Sequence, residues 1–226
     1  MPQVIFNGPS GRLEGRYHHS DIPETPVALI LHPHPLQGGT MNNRVTYTLY
    51  RAFAEHSASV LRFNFRGVGR SEGAFENGEG ELADAAAALD WVRSINQGSR
   101  PLWVAGFSFG ALIAMQLLMR RPEVAGFISV SPQTNLYDFN FLAPCPVSGM
   151  ILYGKKDTIV QEETVERLVA KLNAQKGISI DYRVVPNADH FYTNDIEKVY
   201  QHTVDYVSSY SYASQEPKKR FRVANG

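Results

Sequence analysis

Cysteine is nearly missing from this chain. Cys145 is the one thiol in 226 residues, which excludes an internal disulfide framework and a four-cysteine zinc site and suggests a buried thiol in a reducing compartment. Charge of either sign is not in excess. Lys plus Arg is 22 and Asp plus Glu is 22, so the formal net charge is zero. A duplex-binding surface usually shows as a basic surplus, so no nucleic-acid partner is expected. Long hydrophobic runs are absent as well. The most apolar segment, Ala111 to Met119, is interrupted by Gln116 and falls far short of the ~20 residues that a membrane span requires. The opening residues Met1-Pro2-Gln3-Val4-Ile5-Phe6 have neither the basic nor the apolar region of a signal peptide. There is no internal repeat and no low-complexity linker. What is present is 43% hydrophobic and 19% charged, an ordinary globular mixture, long enough to bury a sizeable core without staples. The expectation is a soluble, cytoplasmic protein with a single domain over residues 1–214 and a basic tail over 215–226. In that tail Lys218-Lys219-Arg220-Phe221-Arg222 reads as a solvated segment.

Short apolar runs alternate with amphipathic stretches. Val27–Leu31, Ser59–Phe65, Leu102–Ala105, Phe127–Val130, Met150–Tyr153 and Ile178–Val185 read as strands, most of them apolar throughout, as strands covered on both faces are. Between them, helical spacing joins Val45, Leu49 and Phe53; Leu82, Ala86, Leu89 and Val92; and Val165, Leu168, Val169 and Leu172. A weaker face runs through Ile196, Val199, Thr203 and Val207. Strand and helix in alternation predict an α/β fold, a mainly parallel sheet with helices on both faces. Val4–Phe6 and Arg12–His18, with Asn7-Gly8-Pro9-Ser10-Gly11 between them, predict an antiparallel hairpin at the sheet edge. The irregular stretch Ser131–Pro146 is too short for a cap domain.

The strongest local signal is Gly106-Phe107-Ser108-Phe109-Gly110, between the strand at Leu102 and the helical run at Ala111. A Ser at a strand-to-helix turn sits in strained backbone, and the flanking glycines leave room for that turn. Its hydroxyl then stands above the sheet at a helix N-terminus, where the N–H of Phe109 would face developing negative charge. A nucleophilic Ser needs a base, and the base an orienting acid. Downstream, Asp157 follows the strand Met150–Tyr153 and His190 follows the strand ending at Val185, so all three fall on one edge of a parallel sheet. Asp138 competes for the acid role. Asp189 is a poor orienter because it adjoins the histidine in sequence. His32 and His34 form a His-x-His pair, but a catalytic zinc needs three protein ligands and no third follows at matching spacing, so no metal is expected. Gly67, Gly69 and Gly73 imitate a dinucleotide fingerprint with the third glycine one residue late, so no cofactor is expected either.

From Val27 to Tyr206 the chain resembles the α/β-hydrolases. Gly106–Gly110 resembles the nucleophile elbow, Gly154-Lys155-Lys156-Asp157 the acid loop, and Asp189-His190-Phe191 the histidine loop. Leu31-His32-Pro33-His34-Pro35 occupies the place of the oxyanion loop, and Arg66-Gly67-Val68-Gly69-Arg70-Ser71 matches the stretch after the fourth strand. Within the family the chain is similar to small capless bacterial members related to the dienelactone-hydrolase and acyl-peptidase-like groups. The resemblance implies an α/β-hydrolase fold and a serine hydrolase with catalytic Ser108, Asp157 and His190. The oxyanion hole would be formed by the N–H of Phe109 and by that of His34 or, if the loop bulges, of Leu36 or Gln37. Pro33 stands where the family has Gly, and neither Pro33 nor Pro35 can donate a hydrogen bond. Loop placement predicts an open, apolar site lined by Leu36, Phe107, Tyr137, Phe139, Phe141 and Phe191. The expected partner is a small-molecule ester or thioester with a small to medium acyl group; the oligomeric state, homo-oligomer included, is left open. A peptidase-like hydrolase and a non-catalytic binding protein of the same fold are the alternatives.

Overall fold

A computed structural model describes residues 2–99 and 101–213. The basic tail expected over 215–226 lies outside the described residues. In chain order the elements are β1 (Gln3–Gly8), β2 (Gly11–His18), β3 (Val27–Leu31), α1 (Arg44–Ala54), β4 (Ser59–Phe63), α2 (Glu79–Ser94) and β5 (Leu102–Phe107). They continue with α3 (Phe109–Leu118), β6 (Val124–Val130), β7 (Gly149–Gly154), α4 (Glu162–Asn173), β8 (Ile180–Val185) and α5 (Ile196–Ala213). One sheet joins the strands in the order β1-β2-β4-β3-β5-β6-β7-β8. The β1–β2 hairpin pairs antiparallel and docks antiparallel on β4, while every later pair is parallel.

Side-chain alternation explains why the central strands read as unbroken apolar runs. In β3, Leu29 and Leu31 enter one core and Ala28 and Ile30 the other; in β5, Val104 faces the first and Trp103 and Ala105 the second. The first core is closed by α2, α3 and α4 through Leu82, Leu89, Ile113, Leu117, Val165 and Leu172. The second is closed by α1 and α5 through Val45, Leu49, Phe53, Val199 and Tyr206. Cys145 is buried, and its Sγ lies 3.3 Å from the carbonyl of Val147. No helix among the described residues is long and apolar enough to cross a membrane.

Two strands are shorter than the sequence expectation, while several others extend one or more residues beyond theirs. The strand from Ser59 stops at Phe63 instead of Phe65, because the next backbone groups bond to loops. The carbonyl of Asn64 accepts from Ser71 Oγ at 2.6 Å and the N–H of Phe65 donates to His32 Nε2 at 3.0 Å. The last strand begins at Ile180 instead of Ile178, because Ile178 donates to the Gln175 carbonyl in the preceding turn and Ser179 to Ser148 Oγ just ahead of β7.

The glycine loop after β4 is held from its first residue. The Arg66 guanidinium, 2% exposed, bonds both carboxylate oxygens of the fully buried Asp84 on α2 at 3.0 and 2.7 Å. Gly67, Gly69 and Gly73 have φ of 72°, 60° and 91°, so the glycines serve the path of this loop.

Candidate active site

Because β3 and β5 to β8 run parallel, the loops that follow them emerge on one edge, and residues far apart in sequence meet there. Ser108 lies between β5 and α3 with φ 58° and ψ −116°, a conformation that costs a non-glycine residue on the order of 1–3 kcal/mol. The neighbours enforce it. A Cβ on Gly106 would lie 2.2 Å from the carbonyl oxygen of Gly110, and one on Gly110 would lie 2.4 Å from that of Leu31. The start of α3 is thus pressed against the backbone leaving β3. The N–H of Ser108 donates to the Val130 carbonyl at 2.9 Å, which anchors the turn to β6.

His190 Nε2 lies 3.1 Å from Ser108 Oγ, and His190 Nδ1 lies 2.7 Å from Asp157 Oδ2. His190 is 4% exposed and the Asp157 side chain fully buried, so little water competes for these bonds. Asp157 is further fixed because its Oδ1 accepts the N–H groups of Ile159 and Val160 at 2.8 and 2.9 Å. The acid and histidine loops also bond to each other. Lys156 N–H donates to the Ala188 carbonyl at 2.9 Å, and a Cβ on Gly154 would come within 2.6 Å of that oxygen. The competing carboxylates are engaged elsewhere. Asp138 accepts from the N–H of Asn140 at 2.7 Å, and Asp189 accepts from the N–H and hydroxyl of Thr193 at 2.8 and 2.6 Å.

The donors that could face an oxyanion come from two directions. Phe109 is the first residue of α3, so its N–H has no acceptor within the helix. His34 stands at the head of the short 3-10 turn Pro35–Gln37; its Nδ1 accepts the N–H of Leu36 at 3.2 Å and its ring lies 5.0 Å from that of Phe109. Burial holds the His34 pKa below the usual histidine value. His32 is fully buried, and loss of hydration lowers its pKa to about 4. Its Nδ1–H donates to the Pro33 carbonyl at 2.6 Å and its Nε2 accepts from Phe65, so this ring ties the loop after β3 to the loop after β4. Both ring nitrogens are used within the protein. Among the described residues no group of three or more His, Cys, Asp or Glu side chains could hold a metal ion.

A cavity of about 110 Å³ opens at the serine, lined by Pro33, His34, Gln37, Asn43, Gln133, Ile159 and Phe191 together with Ser108 and His190. Phe191 is where the sequence suggests. Leu36 is 73% exposed beside the cavity residue Gln37 and is not part of the wall. Phe107 differs from expectation: it is fully buried, its ring 5.1 Å from that of His190, because strand alternation turns it into the core beneath α1 and α5. Tyr137 and Phe139 also differ, lining a separate cavity of about 430 Å³ against α4, and Phe141 packs on the core there. The wall is more polar than expected, since Gln37, Asn43 and Gln133 contribute three carboxamides. Each lies on a loop just past a strand's carboxyl end or before α1, and position relative to the parallel strands was the one signal that could have found them.

Residues 35–148 match a family described as the alpha/beta hydrolase fold. Three solved structures are similar over most of the chain. A protein from Agrobacterium tumefaciens, described as an alpha/beta hydrolase of unknown function, is 52% identical with a TM-score of 0.92, covering 96% of this chain and 100% of that one. An alpha-beta serine hydrolase homologue from Coxiella burnetii is 33% identical with a TM-score of 0.82, covering 91% and 97%. A serine hydrolase without a lid from Xanthomonas campestris is 28% identical with a TM-score of 0.83, covering 92% and 94%.

Proposed function

The chain belongs to the α/β-hydrolase family, and from that premise we propose that it is a serine hydrolase cleaving an ester or thioester with a small to medium acyl group. The observation that carries this reading is the unbroken line from Ser108 Oγ to His190 Nε2 at 3.1 Å and from His190 Nδ1 to Asp157 Oδ2 at 2.7 Å. Asp157 accepts from Nδ1–H, which leaves Nε2 unprotonated and facing the hydroxyl, the tautomer a general base needs. Ser108 Oγ attacks the acyl carbonyl while its proton passes to Nε2. The carbonyl oxygen, now negative, accepts hydrogen bonds from the N–H groups of Phe109 and His34. Collapse of this intermediate breaks the bond to the alcohol or thiol, which takes the proton from Nε2. Water, deprotonated by the same nitrogen, then releases the acid and restores the serine.

The size and composition of the site support the substrate class. The cavity of about 110 Å³ has room for a short acyl group, and it is lined by neutral side chains apart from the histidines. Leu36, Leu136, Ile159 and Phe191 are exposed on loops at the same sheet edge, which suits apolar parts of a substrate that extend beyond the cavity. Similarity to a lidless serine hydrolase agrees with a site open to solvent. A fluorophosphonate probe tests the mechanism without knowledge of the substrate. Labelling of the wild-type protein that disappears in Ser108→Ala is expected; labelling that persists in the variant would contradict the role given to Ser108.

A further inference from the structure

One polar group in the wall of the catalytic cavity is satisfied by nothing in the protein. Gln133 is 3% exposed and lines the cavity with Ser108 and His190, yet its buried Oε1 has no hydrogen-bond partner. Most buried polar side-chain atoms are paired, so an unpaired one in a binding cavity calls for an explanation. Among the described residues, no other side chain lining this cavity has such an atom.

The loop that carries Gln133 is fixed on both sides. Ahead of it, the N–H of Ser131 donates to the Leu152 carbonyl at 2.8 Å, and Ser131 Oγ lies 3.2 Å from the hydroxyl of the buried Tyr192. Behind it, the N–H groups of Leu136 and Tyr137 donate to the Gln133 carbonyl at 3.1 and 3.0 Å. The serine shares this frame, since its N–H bonds to Val130 at the root of the same loop. The backbone on either side of Gln133 is therefore held in place beside the site. A half-turn about the last torsion of its side chain exchanges Oε1 and Nε2, so the carboxamide can accept or donate. A hydroxyl, which both donates and accepts, is complementary to either end. The neighbouring wall residues Gln37, Asn43, Ile159 and Phe191 carry no charge that would favour an ionic group instead.

We infer that Gln133 is a specificity-determining residue that hydrogen-bonds a hydroxyl group of the substrate close to the scissile carbonyl, so that hydroxylated esters are preferred over their methyl-bearing isosteres. This inference rests on the serine-hydrolase reading above and names the substrate class of the same site.

Two isosteric pairs test it, one with the hydroxyl on the acyl side and one with it on the alcohol side. They are p-nitrophenyl 3-hydroxybutyrate against p-nitrophenyl 3-methylbutyrate, and 2-hydroxyethyl butyrate against propyl butyrate. Wild-type kcat/KM is expected to favour the hydroxylated member of at least one pair by ~10-fold or more, because a site that bonds a hydroxyl rejects the analogue lacking it. Gln133→Met keeps the length and removes the hydrogen-bonding atoms. It should bring the ratio close to one by lowering kcat/KM for the hydroxylated ester more than for its methyl-bearing partner. Its thermal midpoint should be no lower than that of the wild type, since an unsatisfied buried group has been removed. A ratio near one for both pairs in the wild type, or a preference unchanged in Gln133→Met, would overturn the inference. Fluorophosphonate labelling separates the two claims. Labelled Ser108 with no preference for hydroxylated esters rejects the role of Gln133 alone, whereas absence of labelling and turnover rejects the hydrolase reading and this inference with it.

Discussion

At Asp157 two functions meet in one carboxylate: Oδ2 faces His190 Nδ1 while Oδ1 accepts from Ile159 and Val160. Asp157→Asn separates them. The amide oxygen can keep both loop bonds, but its NH2 would donate to Nδ1 and leave the proton on Nε2, where it blocks transfer from Ser108. The expected outcome is a fall in kcat on the order of 10⁴-fold with little change in melting temperature, checked by steady-state kinetics beside a thermal scan. The residues of this line are legible in the sequence, because a serine at a strand-to-helix turn followed by an acid and a histidine at later strand ends leaves few candidates. The cavity wall is legible only in part. Phe191 adjoins the histidine, so its place follows from that of His190. Gln37, Asn43 and Gln133 depend on how three loops fold back over the sheet edge, and apolar loop residues such as Tyr137 and Phe139 proved to serve a cavity against α4 instead.

Among the elements, α3 is set by contact between backbones. A Cβ at Gly110 would meet the carbonyl oxygens of Leu31 and His32 at 2.4 and 2.5 Å, and neither oxygen can move without disturbing β3. Gly110→Ala is expected to cost about 3 kcal/mol, read from the denaturant midpoint, and to lower hydrolase activity by shifting Ser108 and Phe109 away from the His34 loop. The loop after β4 depends on charge burial. Arg66→Met would leave Asp84 on α2 buried without its cation, and a loss of about 3–5 kcal/mol is expected from chemical denaturation. The alternation of strands and helices, the edge hairpin and the helical faces are all readable from hydrophobic periodicity. The end of β4 and the start of β8 are not, because Phe65 and Ile178 have strand-like side chains but their backbone N–H groups, with that of Ser179 and the carbonyl of Asn64, are committed to partners outside the sheet ladder.

For the molecule as a whole, stability and activity both pass through the sheet edge where the loops after β3 and β4 are joined by His32. Burial lowers this histidine from 6.5 to about 4 in the folded protein. Between those values the unfolded chain binds a proton that the folded one excludes, so this group makes stability fall as the pH drops through that window and level off below it. The loss is on the order of 3 kcal/mol. His32→Gln should be less stable near neutral pH, having lost two loop bonds, and should show a shallower decline toward acid in a series of pH-dependent melts. The central claim is that Ser108, driven by His190, performs acyl transfer. Its most direct test is hydrolysis of p-nitrophenyl butyrate by the wild-type protein and by Ser108→Ala under the same conditions. The expected result is turnover in the wild type and a loss on the order of a thousandfold or more in the variant; undiminished turnover by Ser108→Ala would contradict the mechanism.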